Sequence, residues 1–110
     1  MAITINIYYK GKGDSAKRFA EEMLSRGIVD EIRCDEGNLR YEYFFSMNDS
    51  ETVLLIDSWK NQEALDRHHA KPLMEKIMKL REKYDLHMKV ERYLSDDGGV
   101  PDKDKAFIKE

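Results

Sequence analysis

Asn6, Trp59 and His68 are the side chains whose type and setting could do chemistry in this chain of 110 residues. Asn6 is an amide within a strand-like run whose other members are mostly apolar, an unfavourable place for asparagine unless something compensates. Facing a pocket, it would hold a substrate oxygen; facing solvent, it would be one more surface polar group. Trp59 closes an apolar run that begins at Val53. Its indole N–H needs an acceptor if buried, so it fills a corner, walls a flat ligand, or does both. His68 follows Leu65 by three residues and Ala64 by four, and therefore borders their helical face. Histidine titrates near neutral pH, which suits a pocket base or hydrogen-bond donor. The plainer reading is a half-buried histidine near a helix end, favoured by a dipole worth about 1 kcal/mol.

Other reactive side chains carry less. His68 and His69 are adjacent on a helix and point about 100° apart, so they cannot share one metal ion. No cysteine or carboxylate stands at a spacing that completes a zinc site, and no metal is expected. His87 lies on the polar parity of its strand, and Cys34 reads as a bystander thiol in a polar connection. Tyr41, Tyr43 and Tyr93 could each present a phenol to a pocket, although strand tyrosines also pack. Gly11-Lys12-Gly13 is too short for a phosphate loop. Arg81-Glu82-Lys83 reads as a solvated helix face.

The elements that must position these residues follow from periodicity. Ile3, Ile5, Ile7 and Tyr9 alternate with Thr4, Asn6, Tyr8 and Lys10, a period-two strand. Asp14 or Ser15 can cap a helix whose apolar face is Ala16, Phe19, Ala20, Met23 and Leu24, with Gly27 as its stop. Residues 28–38 read as a polar connection, with a short extended piece near Ile32. Leu39, Tyr41, Tyr43, Phe45 and Met47 then share one parity of a second strand. A short turn at Asn48-Asp49-Ser50 leads to a third strand over 52–60, and so short a turn makes the two an antiparallel hairpin. Asn61 caps a short helix to about residue 70. Pro72 breaks it and starts a longer helix with a stripe of Leu73, Ile77, Leu80 and Tyr84. Leu86, Met88, Val90 and Leu94 mark a fourth strand, and Asp96-Asp97-Gly98-Gly99 ends it.

The order βαββαβ is the α+β, ferredoxin-like arrangement, an antiparallel sheet with helices on one face. Residues 1–95 form the domain and 96–110 a charged tail with one apolar spot at Phe107-Ile108. The hairpin strands are apolar on both parities, unlike a sheet with one wet face. A second copy across a two-fold axis is the simplest cover, so a homodimer is expected, with the tail packing on the partner subunit.

Composition narrows the function classes. Charged residues make up 37% and apolar ones 41%, with a net charge of −3 and both signs interspersed. Nucleic-acid binding would need clustered Lys and Arg, and a membrane span about 18 consecutive apolar residues; neither is present, so no nucleic acid and no membrane partner is expected. One cysteine and no export-like start point to a reducing cytoplasm.

Asn6, the Gly37-x-Leu39-x-Tyr41 opening of the second strand, Trp59, and Glu63-Ala64-Leu65-x-x-His68 followed by Pro72 together resemble the antibiotic biosynthesis monooxygenase family over roughly residues 1–95. The resemblance implies a dimeric α+β barrel with a pocket between sheet and helices in each subunit. It implies a cofactor-independent monooxygenase, or a related oxidoreductase or isomerase, acting on a small quinol, polyphenol or polyketone-like compound. Molecular oxygen would be co-substrate and no cofactor would be needed. On this reading Asn6 and His68 are catalytic, and Trp59 and Tyr41 bind substrate. The alternatives are a non-catalytic small-ligand-binding or stress-related dimer and, further off, a heme-binding or heme-degrading protein. Leu73 stands where many members carry a histidine, and the helix from Leu73 to Lys83 has no histidine to ligate heme iron.

Overall fold

The inward row of the first strand sets the architecture. In the computed structural model, which describes residues 1–110, strand β1 (Ile3–Lys10) turns Ile3, Ile7 and Tyr9 into the core. Helix α1 (Ser15–Ser25) lays Ala16, Phe19, Ala20 and Met23 over it. Phe19 anchors that contact, its ring centroid 4.9 Å from that of Tyr9 and 6.3 Å from that of Tyr43. Strands β2 (Asn38–Phe45) and β3 (Thr52–Trp59) form the hairpin, and β4 (His87–Leu94) completes the sheet. The order is β2-β3-β1-β4, with every neighbouring pair antiparallel. This is the ferredoxin-like arrangement, and within one chain the sheet is open.

Two helices follow the hairpin. Asn61 caps α3 (His69 at its end, Gln62 at its start), its side-chain oxygen accepting from the Ala64 N–H at 2.9 Å. Pro72 precedes α4 (Leu73–Lys83), whose Leu73, Ile77 and Leu80 are buried as the stripe predicts. Gly37 seats the start of α3 against the sheet. Its φ is +88°, and a Cβ there would stand 2.7 Å from the Ala64 Cβ.

Three local expectations change. Residues 28–33 are not a polar connection but a further helix, α2 (Ile28–Arg33), with Ile28, Val29 and Ile32 all buried. Gly27, at φ 73°, ends α1 and turns the chain into α2. The Arg33 guanidinium then donates to the Tyr41 carbonyl at 2.9 and 2.7 Å, tying α2 to β2. Leu39 does not share the inward parity of Tyr41. The register shifts between Asn38 and Arg40, a bulge that leaves Leu39 exposed. Phe45, Met47 and Leu24 are also exposed; Phe45 meets α1 through the Lys17 ammonium, 5.1 Å from its ring centroid, and Leu24 sits at the edge of the buried face of α1.

The strand at the other edge is thinly covered. Met88, Val90 and Leu94 pair with Tyr9, Ile7 and Ile3 and so share their side of the sheet, yet all three are exposed. The helices pack over β1, β2 and β3 instead. Residues 96–110 leave the sheet, carry a 3-10 helix at Asp102–Phe107, and are exposed throughout.

Because α2 is core, Ile32→Ala should cost about 2–5 kcal/mol of stability, whereas Leu24→Ala should stay within about 0.5 kcal/mol. Urea melts of the two variants compare them directly. An unchanged midpoint for Ile32→Ala would mean that α2 does not belong to the folded core.

Candidate functional site

A cavity of about 360 Å³ opens between the sheet and helices α3 and α4. Ile5 and Ile7 of β1 form its floor, with Leu65, Met74 and Ile77 from the helices above. Met88 and Val90 line the flank that β4 leaves open. An apolar hollow with a few convergent polar groups is the usual form of a small-molecule site. Here those groups are Tyr41, Asp57, His68 and Arg81, with Gln62, His69 and Arg92 also in the wall.

The strand parities place them. Val53, Leu55, Asp57 and Trp59 form the inward row of β3, and register puts Tyr41 beside Asp57 on β2. Asp57 is only 5% exposed. The Trp59 indole N–H donates to its Oδ1 at 2.6 Å, and no other side chain hydrogen-bonds this carboxyl. Burial pushes the Asp57 carboxyl up to about 7, against the opposing pull of the Trp59 hydrogen bond and the Arg81 charge. Arg81 itself is held by Tyr9, whose hydroxyl accepts from its Nε at 3.1 Å.

His68 sits across the cavity on α3. It is buried and stacks on Trp59 with ring centroids 4.7 Å apart and planes 26° from parallel. Its Nδ1 lies 3.6 Å from Asp35 Oδ2, and neither atom has a hydrogen-bond partner. Lys71 holds the other oxygen of Asp35. Burial first, then the neighbouring His69, lower the His68 pKa, and Asp35 acts the other way. The imidazole is therefore neutral at neutral pH. Tyr41 keeps its proton, because burial raises its phenol well above the ordinary range.

The cavity thus gathers two of the four residues singled out from the sequence, His68 and Tyr41. Trp59 is fully buried behind His68 and does not wall the cavity. Asn6 lies on the opposite face of the sheet, because Ile5 and Ile7 take the cavity side. Its neighbours across the strands are Ile56 and Glu91, and its Oδ1 is buried without a partner. Asp57, Asp35 and Arg81 were missed. Asp57 had a signal: an acid on the inward parity between Leu55 and Trp59, where an uncompensated charge is costly. Arg81 follows Ile77 by four residues, so it belongs to the buried stripe and not to the solvated face assigned to it. No three His, Cys, Asp or Glu side chains converge to hold a metal ion, and no helix is long and apolar enough to cross a membrane.

Known proteins share this frame. YcnE of Bacillus subtilis (strain 168), assigned as a monooxygenase, is 28% identical over 67 residues, 61% of this chain and 68% of its own length. A crystal structure from Deinococcus radiodurans, assigned as an antibiotic biosynthesis monooxygenase, superposes with a TM-score of 0.74 at 17% identity, covering 88% of this chain and 94% of the other. SnoaB, a cofactor-independent oxygenase from Streptomyces nogalater, superposes with a TM-score of 0.71 at 14% identity, covering 87% and 94%. At such identities the two structures speak to the fold alone. The sequence match goes further: the family model described as antibiotic biosynthesis monooxygenase covers residues 2–80, from β1 through the helix that roofs the cavity, and this chain belongs to that family.

Proposed function

We propose that this chain is a cofactor-independent monooxygenase that oxidises a small phenol, quinol or polyketone-like compound with molecular oxygen. The observation that carries this is a mostly apolar cavity whose wall holds two groups able to accept a proton, a neutral His68 and Asp57. Family membership and the likeness to SnoaB, a cofactor-independent oxygenase, support it. In such a reaction the hydroxyl loses its proton, and the electron-rich anion gives one electron to O2. The two radicals couple to a peroxide anion, which takes back the proton to give a hydroperoxide, and loss of water from that carbon leaves a carbonyl on the ring. The protein's part is to dry the substrate, orient its oxygens and move protons. Tyr41 would donate to a substrate oxygen. His68, held flat against Trp59, would hydrogen-bond a second one.

The same reading includes a homodimer. The sheet face away from the helices presents Phe44, Leu54 and Ile56, only partly covered in one chain. A second copy laid on this face would bury them and close a two-sheet barrel. Asn6 belongs to this face, and its orphan Oδ1 would take a donor from the second copy. The tail, with Phe107 90% exposed, would pack on the partner subunit.

Oxygen uptake with a panel of quinols and naphthols tests the activity. His68→Ala should lower kcat/KM about 100-fold or more, with an unchanged far-UV spectrum. Retention of these compounds with no oxygen consumed would leave a ligand-binding protein. For the dimer, sedimentation of the wild type should show one dimeric species, and Ile56→Arg should shift it to monomer. A monomeric wild type at micromolar concentration removes the second copy from the proposal.

A further inference from the structure

We infer that Asp57 is the residue that takes the proton from the substrate hydroxyl, with Trp59 fixing its carboxyl and Arg81 receiving the oxyanion. The inference rests on the monooxygenase reading for its substrate class, a phenol or quinol.

The placement calls for an explanation. Asp57 occupies the inward row of a central strand, between the fully buried Leu55 and Trp59. Such a carboxyl is ordinarily paired or fully hydrogen-bonded. This one has no ion pair, and its single side-chain hydrogen bond leaves Oδ2 without a partner on the chain. Arg81, the nearest compensating charge, spends its Nε on Tyr9 and lines the same cavity. The arrangement is a carboxyl clamped on one side and available to a ligand on the other.

Charge conservation favours Asp57 over His68. If a neutral imidazole takes the proton of a neutral phenol, an ion pair appears in a desolvated cavity, at a cost. If the Asp57 carboxylate takes it, the negative charge only moves, from Oδ2 to the substrate oxygen. The proton passes to Oδ2 as the substrate O–H bond breaks, and its electron pair stays on the substrate oxygen. Arg81 then faces the new anion instead of the old one. Base strength agrees. Burial acts oppositely on the two groups, raising the carboxyl to about 7 while lowering the imidazole, so the carboxylate becomes the stronger acceptor. A phenol ordinarily ionises near pH ~10, and the acceptor closer to that value takes the proton at lower cost. His68 is left as a neutral hydrogen-bonding group, as its contact with Asp35 and its stacking on Trp59 suit it.

The charged and titratable groups around Asp57 come from every neighbouring element. Tyr9 stands on β1, Tyr41 and Tyr43 on β2, Arg81 on α4, His68 and His69 on α3, and Arg92 on β4. Burial raises the three phenols, so they stay protonated through the neutral range. Parallel His68→Ala and His69→Ala variants separate the imidazoles from Asp57.

The test uses 4-nitrophenol, whose anion absorbs in the visible and whose acid does not, and needs no turnover. Above neutral pH the probe is itself an anion in water, so an Asp57 that holds the proton beside a bound oxyanion must take that proton up on binding. Bound to wild type above about pH 7, the probe should stay visibly anionic while its affinity falls about tenfold for each pH unit. In Asp57→Asn, which keeps an acceptor for the Trp59 N–H and needs no proton, the affinity should be flat over the same range. His68→Ala should keep the wild-type slope. Trp59, the single tryptophan, reports independently: its emission should titrate near pH 7 in wild type and in both histidine variants, and not in Asp57→Asn. Trp59→Phe removes the hydrogen bond that favours the carboxylate, so the pH at which the affinity begins to fall should rise. An equal slope in Asp57→Asn, or a slope or titration lost in His68→Ala instead, overturns the assignment. If no quinol or naphthol consumes oxygen while the probe behaves as described, the monooxygenase reading fails and Asp57 stands as the cavity's proton acceptor.

Discussion

The hydrogen bond from the Trp59 indole to Asp57, 2.6 Å long and shielded from water, is made within strand β3 and fixes the ring on which sheet and helix meet. Trp59 ends β3, and its ring is the surface on which His68 of α3 lies flat. Sheet and helix are therefore registered through one side chain. If the indole turned, His68 would lose its support and Asp57 its clamp. Pinning Trp59 from the strand side are the Asn61 cap, two residues on, and Gly37, whose lack of a Cβ lets α3 approach. The geometry of the cavity is a consequence of how tightly that corner is closed.

Burial also sets the chemistry. An acid and a base placed in the same dry hollow are pushed in opposite directions, the acid toward holding its proton and the base toward losing it. That is how an aspartate and a histidine can exchange their customary ranks. The arrangement has a thermodynamic sign. Between the ordinary carboxylate range and about pH 7 the folded chain holds a proton on Asp57 that the unfolded chain has released. Stability from this group therefore falls as pH rises through that window and is flat above it. The ionised, proton-accepting form is the less stable one, so the cavity is kept at some expense to the fold.

Much of the frame was legible in the sequence because it is written in strong local signals. Strict alternation in Ile3–Tyr9, the Asn61 cap, Pro72 and the short hairpin turn each specify backbone geometry within a few residues. The order of elements then leaves one common topology. What was not legible depends on contacts made at a distance. Helix α2 is six residues long, too short for its Ile28, Val29, Ile32 spacing to outweigh the charged residues around it. The bulge at Leu39 exists only in the pairing with β3. Asn6 and His68 were singled out one by one, yet which face of the sheet each serves follows from the parity of Ile5 and Ile7, and that parity separates them. Asp57 was in plain view beside Trp59, but its meaning lies in the burial that its neighbours impose.

Asp57 gains its unusual base strength only while water is kept from it, yet the cavity has an apolar flank at Met88 and Val90 that the helices do not cover. Water entering there would solvate the carboxylate and return it toward its ordinary range. A flat aromatic ligand resting on that flank would do the reverse. It would cover the apolar wall, displace water from around Oδ2 and raise the affinity of Asp57 for the proton that the ligand itself carries. Binding and deprotonation are then one coupled event, in which the substrate dries the base that ionises it. A wider or more polar mouth would weaken that coupling even with every wall residue unchanged, so the exposed residues of β4 matter to the chemistry as much as the buried acid does.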